Sequence, residues 1–344
     1  MSRVFVTRRI PEAGLIHLRE GGAEVRVGQR DEEGFVDRDV LLEGTRWADV
    51  LLSLLTEAVD RAVLEANPRL RGVANYAVGF NNVDVVSATM LGLPVTNTPG
   101  VLTETTADLT WALLLAVARR IPEAHAYMAG GRYRTWGPNL LLGDDVSSGG
   151  SGRRKVLGIV GFGRIGQAVA RRATGFGMDV LAHDPRNRDR VEAFGPPVRW
   201  AELDQLLAES DFVTLHPRLT PETHHLVDAR ALDLMKSTAY LVNVARGEMV
   251  DERALVHALR KGGIAGAALD VFEEEPHMAP GLAELPNVVL APHIGSASRD
   301  TRDRMAVMAA DNALHHLRGE RAPHVVNPDV YGSEAWRRRT TGEG

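Results

Sequence analysis

Three glycines, Gly161, Gly163 and Gly166, stand in Gly-x-Gly-x-x-Gly spacing within Gly161-Phe162-Gly163-Arg164-Ile165-Gly166. That spacing suits the binding of a pyrophosphate. The first glycine permits a tight turn, the second lets the backbone approach the phosphates, and the third lets the next helix pack on its strand. The helix N-terminus then offers unpaired N–H groups and the positive end of its dipole. Alone the pattern is weak, because such a turn also occurs with no ligand. Here it follows the apolar run Val156–Val160, opens a helix-like stretch over residues 167–174, and precedes a second apolar run ending at Asp184. An acid about twenty residues on is what the adenosine ribose hydroxyls require. A carboxylate there repels a 2′-phosphate and favours NAD, while Arg186 and Arg188 leave NADP open.

The glycine turn needs a strand before it and a helix after it, and the whole chain supplies that alternation. Strands are expected at residues 4–7, 24–27, 49–54, 72–77 and 94–96, with helices such as 11–20 and 60–66 between them. A second series runs through 156–160, 180–183, 212–216, 239–244, 266–271 and 288–291. These runs are dense in Val, Leu, Ile and Ala with little alternation, as in parallel strands covered on both faces. The fold class is therefore α/β with parallel sheets, and two series imply two domains.

The expected boundaries are 1–102 for the first domain, 103–295 for the dinucleotide-binding domain, 296–331 for a return to the first, and 332–344 for a polar, disordered tail. A single long helix over 103–129, capped by Thr103, is expected to carry the chain between domains. The segment 144–154, rich in Ser and Gly, reads as a flexible loop.

The composition excludes several classes. The 344 residues are 44% apolar and 25% charged, as in a globular protein, and the net charge of −5 leaves no basic footprint for nucleic acid. There is no cysteine, hence no disulfide framework, thiolate zinc site or cysteine nucleophile. No His-x-x-x-His spacing is present, so no metal is expected, and the pairs His224-His225 and His315-His316 read as surface residues. No apolar run is long enough for a bilayer span, and the N-terminal residues read as a strand, so a cytoplasmic location is expected.

Several further motifs stand in order along the chain. They are Asn75-Tyr76-Ala77-Val78-Gly79-Phe80-Asn81-Asn82-Val83-Asp84, Thr96-Asn97-Thr98-Pro99-Gly100 with its continuation to Asp108, Val242-Asn243-Val244-Ala245-Arg246-Gly247, Asp270-Val271-Phe272-Glu273-Glu274-Glu275-Pro276 and Ala291-Pro292-His293-Ile294-Gly295. With them the chain resembles the D-isomer-specific 2-hydroxyacid dehydrogenases, most strongly the glyoxylate/hydroxypyruvate reductase branch, from Arg3 to about Tyr331. The resemblance implies two flavodoxin-like or Rossmann-like domains with the active site in the cleft, and a homodimer. It implies NAD(P)H-dependent reduction of glyoxylate or hydroxypyruvate to glycolate or D-glycerate.

The resemblance also implies roles. Arg246, Glu275 and His293 match the catalytic triad. His293 would exchange the proton with the substrate oxygen, Glu275 would hold its ring and favour the acid form, and Arg246 would orient the substrate and polarise its carbonyl. The N–H groups of Val78 and Gly79 match a carboxylate cradle, Leu54 a substrate-loop position, and Trp136 a tryptophan that the branch inserts into the partner subunit's site. The cofactor contacts map to Thr106, Arg164, Ile165, Asp184, Pro217, Arg218, Thr223, Val244, Ala245, Asp270 and His293, besides the three glycines. Asp270 would accept from the nicotinamide carboxamide. Two departures stand out: Arg218 replaces the usual proline, and the 144–154 loop is longer than usual.

Read without the resemblance, each residue has a plainer explanation. His293 alone would be a structural histidine near a strand end, Arg246 a buried ion pair, Val78-Gly79 a turn, Trp136 a helix-flanking aromatic, and Glu273–Glu275 a solvated acidic run. Position in the motif, not visible chemistry, selects Glu275. The same triad would also serve D-lactate, D-3-phosphoglycerate or phosphite, and the family contains NADH-sensing corepressors. No regulatory segment is expected after the core.

Overall fold

The computed structural model describes residues 2–29, 34–147 and 153–341. The chain forms two compact units, 1–102 with 297–344, and 103–296.

The first unit opens with β1 (Ser2–Arg8), α1 (Glu12–Glu20), β2 (Ala23–Gln29), α2 (Arg38–Trp47), β3 (Val50–Ser53), α3 (Arg61–Glu65), β4 (Gly72–Asn75), α4 (Val85–Met90) and β5 (Val95–Thr96). Its five strands pair in parallel in the order β2-β1-β3-β4-β5. That is the flavodoxin-like order, whose direction of winding reverses between β1 and β3.

The second unit holds α5 (Thr103–Ala118), α6 (Ile121–Ala129), β6 (Val156–Val160), α7 (Arg164–Gly175), β7 (Asp179–His183), α8 (Arg188–Phe194), β8 (Val198–Trp200), α9 (Leu203–Glu209), β9 (Phe212–Leu215), α10 (Ala229–Leu234), β10 (Tyr240–Asn243), α11 (Glu252–Lys261), β11 (Gly266–Leu269) and β12 (Val288–Leu290). All seven strands are parallel in the order β12-β11-β10-β9-β6-β7-β8, a Rossmann sheet that reverses between β6 and β9. The glycine turn leaves β6 at that switch point, where open α/β sheets bind their ligands.

The chain then returns to the first unit through α12 (Arg299–Arg318) and ends in α13 (Glu334–Thr341). Ser298 caps α12 by accepting from Thr301 N, and Gly319 ends it at φ 68°. Its face of Met305, Ala306, Ala309, Ala310, Ala313, Leu314 and Leu317 packs into the core made with Val4, Val6, Leu15, Leu18 and Leu52. The alanines allow close approach: a Cβ on Gly14 of α1 would lie 2.7 Å from Ala306 O.

Four expectations need correction, the first being His316, expected at the surface but buried against Gly72 at the start of β4. The helix expected over 103–129 is broken, with Arg120 left-handed at φ 52° between α5 and α6. Pro122 has no N–H, and its ring would collide with the carbonyl of Ala118 in a continuous helix. That carbonyl instead accepts from Asp144 N at 2.9 Å. The tail expected to be disordered contains α13. Arg339 ties it down by donating to Leu91 O, Pro68 O and Leu70 O, and Trp336 packs edge-on against Tyr331. Finally, β8 is an edge strand absent from the expected set, too short and too polar to form an apolar run. Within the expected 144–154 loop, residues 148–152 lie outside the described residues.

Candidate active site

Each glycine of the turn meets a different constraint. Gly161 sits at φ 87°, and a Cβ there would lie 2.5 Å from Pro217 N. A Cβ on Gly166 would overlap Gly161 O, while one on Gly163 would meet no heavy atom within 4 Å. Two glycines are thus demanded by the protein's own packing. The third lines open space beside the start of α7, whose N-terminus has no side-chain cap. Free helix N–H groups beside a missing side chain are the cradle a pyrophosphate needs, so the residues present fit a dinucleotide.

Asp184 lies just past β7 and braces that cradle. Its Oδ2 accepts from Phe162 N at 2.8 Å, its Oδ1 from Arg186 N at 3.1 Å, and both from Asn187 Nδ2. On the far side of the switch point, Thr223 Oγ1 accepts from Thr220 N at 2.8 Å and donates to Arg218 O at 2.7 Å, which closes the loop after Pro217.

The three triad candidates lie on segments that follow β10, β11 and β12. Arg246 follows β10, with its backbone held by Asn243, whose Nδ2 donates to Arg246 O and whose Oδ1 accepts from Ala245 N. Val244 beside it is buried. The chain must bend at Gly247, where any Cβ would overlap the Phe272 carbonyl. Burial pulls the Arg246 guanidinium below its ordinary value, with Glu248 and Glu275 opposing.

His293 is left-handed at φ 53°, which is uncommon for a residue with a side chain. Its N–H donates to Asp270 O at 2.8 Å. Its Nδ1 lies 2.9 Å from Glu275 Oε2 and 3.2 Å from Oε1. Burial pushes Glu275 up, but the His293 bond and charge, the Phe272 N–H and Arg246 outweigh it and hold the carboxyl below its ordinary value. An ionised carboxylate only accepts, so Nδ1 carries a proton and Nε2 is left for chemistry.

Asp270 is buried below this turn, accepting from Ile294 N at 2.7 Å and Gly295 N at 2.8 Å. Burial pushes its carboxyl up to about 6, against those two N–H groups and His293. Thr106 Oγ1 donates to Gly295 O at 2.9 Å. Asp270 and Thr106 therefore both brace the segment that holds His293.

Sequence reasoning missed Glu252 in the first turn of α11. Its buried carboxylate accepts from Glu273 N at 2.8 Å and Ala279 N at 2.7 Å, pinning both sides of Glu275. Only an acid in an otherwise ordinary helix start would have hinted at it.

In the first unit, the carbonyls of Val78 and Gly79 accept from Asn97 Nδ2 at 2.8 Å and Asn75 Nδ2 at 2.9 Å. Leu54 N donates to Glu57 Oε2 at 2.7 Å, and Leu54 O accepts from Asn82 Nδ2 at 2.9 Å. These asparagines and Glu57, likewise missed, hold the candidate substrate loops by their backbones. Trp136 is 74% exposed, and α6 buries none of its residues. Among the described residues no helix is long and apolar enough to cross a membrane.

Comparison with known proteins identifies the family. A family model described as the NAD binding domain of D-isomer specific 2-hydroxyacid dehydrogenases matches residues 111–295. The chain is 50% identical over 332 residues to a glyoxylate reductase of Korarchaeum cryptofilum, covering 95% of this chain and 96% of the relative. A glyoxylate reductase of Thermococcus onnurineus is 49% identical over 333 residues, with 95% and 96% coverage. Among solved structures, a protein from Thermus thermophilus superposes with a TM-score of 0.85 at 46% identity, covering 94% of this chain and 99% of that one. An NADPH-dependent glyoxylate/hydroxypyruvate reductase from Sinorhizobium meliloti gives 0.78 at 32% identity, with 95% and 98% coverage. With its Rossmann sheet, its glycine cradle and these relatives, the chain belongs to the D-isomer specific 2-hydroxyacid dehydrogenase family, whose cofactor is NAD(P).

Proposed function

We propose that the chain reduces glyoxylate or hydroxypyruvate to the D-2-hydroxy acid. The observation that carries this reading is the His293–Glu275 pair, with Nδ1 fixed at 2.9 Å and Nε2 without a hydrogen-bond partner among the described residues. The relatives named glyoxylate reductase supply the substrate. A reduced nicotinamide dinucleotide on the glycine turn provides the hydride. His293 gives its Nε2 proton to the carbonyl oxygen as the carbon is reduced, and Glu275 balances the imidazolium beforehand. Arg246 stays charged at any working pH and takes the substrate's carboxylate and carbonyl oxygens with its fork of donors. The amides of Val78 and Gly79, whose carbonyls are already engaged, take the carboxylate, with Leu54 beside them. Arg164, Ile165, Pro217, Arg218, Thr223, Val244, Ala245 and Asp270 line the dinucleotide.

NAD is the preferred cofactor in this reading, because the Asp184 carboxylate repels a 2′-phosphate. The exposed α6 and Trp136 support a homodimer in which Trp136 enters the partner's site. Oxidation rates of NADH and NADPH with glyoxylate and hydroxypyruvate, and reduction rates of NAD+ and NADP+ with D-lactate, D-3-phosphoglycerate and phosphite, test the whole reading. Turnover of glyoxylate or hydroxypyruvate with NADH, abolished in His293→Ala, supports it. Rates no higher than the enzyme-free background in both proteins would instead make the chain an NADH-binding protein without catalysis, and equal rates above that background would remove His293 from the reaction. A strong preference for NADPH would overturn the role given to Asp184.

A further inference from the structure

His224 and His225 are consecutive, and Glu273 lies 48 positions after His225, yet the fold brings all three together. One ligand atom from each lies within 4.8 Å of the other two. His225 Nε2 sits 2.6 Å from Glu273 Oε1, and the two imidazole rings lie 4.2 Å apart at 34°. Side chains of consecutive residues ordinarily diverge. Here His225 is left-handed at φ 48°, and its N–H is fixed on Glu248 O at 2.8 Å, which lays the rings side by side. The His224 ring is exposed and makes no hydrogen bond among the described residues.

We propose that His224, His225 and Glu273 bind one divalent transition-metal ion of the zinc class, at a site distinct from the Arg246–Glu275–His293 group. Two imidazoles and a carboxylate are a borderline donor set that suits zinc, nickel or copper rather than magnesium or calcium. Three protein ligands leave a fourth position to water, as in open zinc sites. Bonds of about 2.0–2.1 Å put tetrahedral ligand atoms roughly 3.3 Å apart, so the His225–Glu273 pair parts slightly and the His224 ring swings in. The other two ligands are already braced. His225 is held through its N–H, and Glu273 N donates to Glu252 Oε1 at 2.8 Å. The ion would tie the loop after Thr223 to the turn that carries Glu275, since Phe272 N, next to Glu273, donates to Glu275 Oε1 at 3.1 Å. The site stands independently of the proposed reaction.

The test uses tag-free, chelator-treated full-length protein. Zinc binding is followed by calorimetry, and cobalt binding by visible absorption. The variants are His224→Ala and, as a surface control, His257→Ala. The expected result is one equivalent of zinc with a Kd below about 10 µM, weakened at least about 30-fold in His224→Ala and unchanged in His257→Ala. Cobalt should give the intense absorption of a four-coordinate ion. Because His224 is exposed and makes no other bond, its removal should leave the unfolding temperature of the metal-free protein unchanged, which separates loss of a ligand from loss of fold. No saturable binding by the wild type, or equal binding by His224→Ala, overturns the proposal.

Discussion

His293 Nδ1 lies 2.9 Å from Glu275 Oε2, so one face of the imidazole is committed to a carboxylate while Nε2 has no hydrogen-bond partner among the described residues. Replacing the carboxylate by an isosteric amide keeps the reach and removes the charge that balances an imidazolium. Glu275→Gln should therefore lower kcat for glyoxylate about 10²-fold with NADH affinity little changed. The fall of the rate toward high pH should also begin at a lower pH in the variant. Glu275 itself is held below its ordinary value, so in the wild type it is ionised throughout the neutral range. Steady-state rates across pH check this, and a wild-type profile in the variant would remove Glu275 from the mechanism.

The glycine turn separates ligand binding from folding. Gly163→Ala adds a methyl group where no heavy atom lies within 4 Å, so the protein should fold with an unchanged unfolding temperature. The methyl would occupy space a pyrophosphate needs, and NADH should bind about tenfold more weakly. Gly166→Ala drives its Cβ into Gly161 O and should cost about 1–3 kcal/mol of stability through strain. Fluorescence titration with NADH and thermal unfolding distinguish the two. Equal loss of stability in both variants would contradict the geometry.

What the sequence made legible was whatever depends on neighbours along the chain. Except for the edge strand β8, the strands of both sheets showed as apolar runs, because a parallel strand inside its sheet buries both faces. The glycine turn showed through its flanking elements. Contacts between distant segments did not show. Glu273 and Glu275 are alike in sequence, yet one meets His225 and the other His293. Arg339 looked like part of a solvated tail because the three carbonyls that hold it belong to segments near Leu91, Pro68 and Leu70. The break after α5 was visible as Pro122, but the apolar pattern continued past it.

Two buried histidines predict how the protein responds to acid. Burial alone pulls His216 down to about 3, and both of its ring nitrogens lack a partner among the described residues. Burial likewise brings His316 to about 3, with Thr96 Oγ1 3.2 Å from its Nε2. Each has a folded pKa below the unfolded value, so the unfolded chain takes up these protons first and stability falls as pH drops below about 6.5. Asp270, raised to about 6, works in the opposite sense between about 6 and 4. Two protons gained against one lost leave a net uptake near one on unfolding, or about 1.4 kcal/mol per pH unit in that window. Urea unfolding at several pH values measures this slope. A stability that stays flat or rises from neutral pH toward pH ~4 would show that these imidazoles are not held neutral.

Glu252 tests whether the turn around Glu275 is positioned from behind. Its two carboxylate oxygens receive Glu273 N and Ala279 N, and it touches none of the reacting groups. Glu252→Ala leaves two N–H groups without acceptors inside the protein, at a cost of about 1–3 kcal/mol for each that stays dry. The unfolding temperature should fall. A purely structural role would end there, whereas a positioning role also lowers kcat and shifts the pH–rate profile in the direction expected for Glu275→Gln, with the KM for NADH unchanged. Glu252→Gln keeps a carbonyl oxygen for one of the two N–H groups and should recover part of kcat. The carboxylate's second oxygen becomes an NH₂ that faces a donor, so the recovery should be incomplete. A Glu252→Ala variant that is less stable but turns over at the wild-type rate would confine Glu252 to the fold.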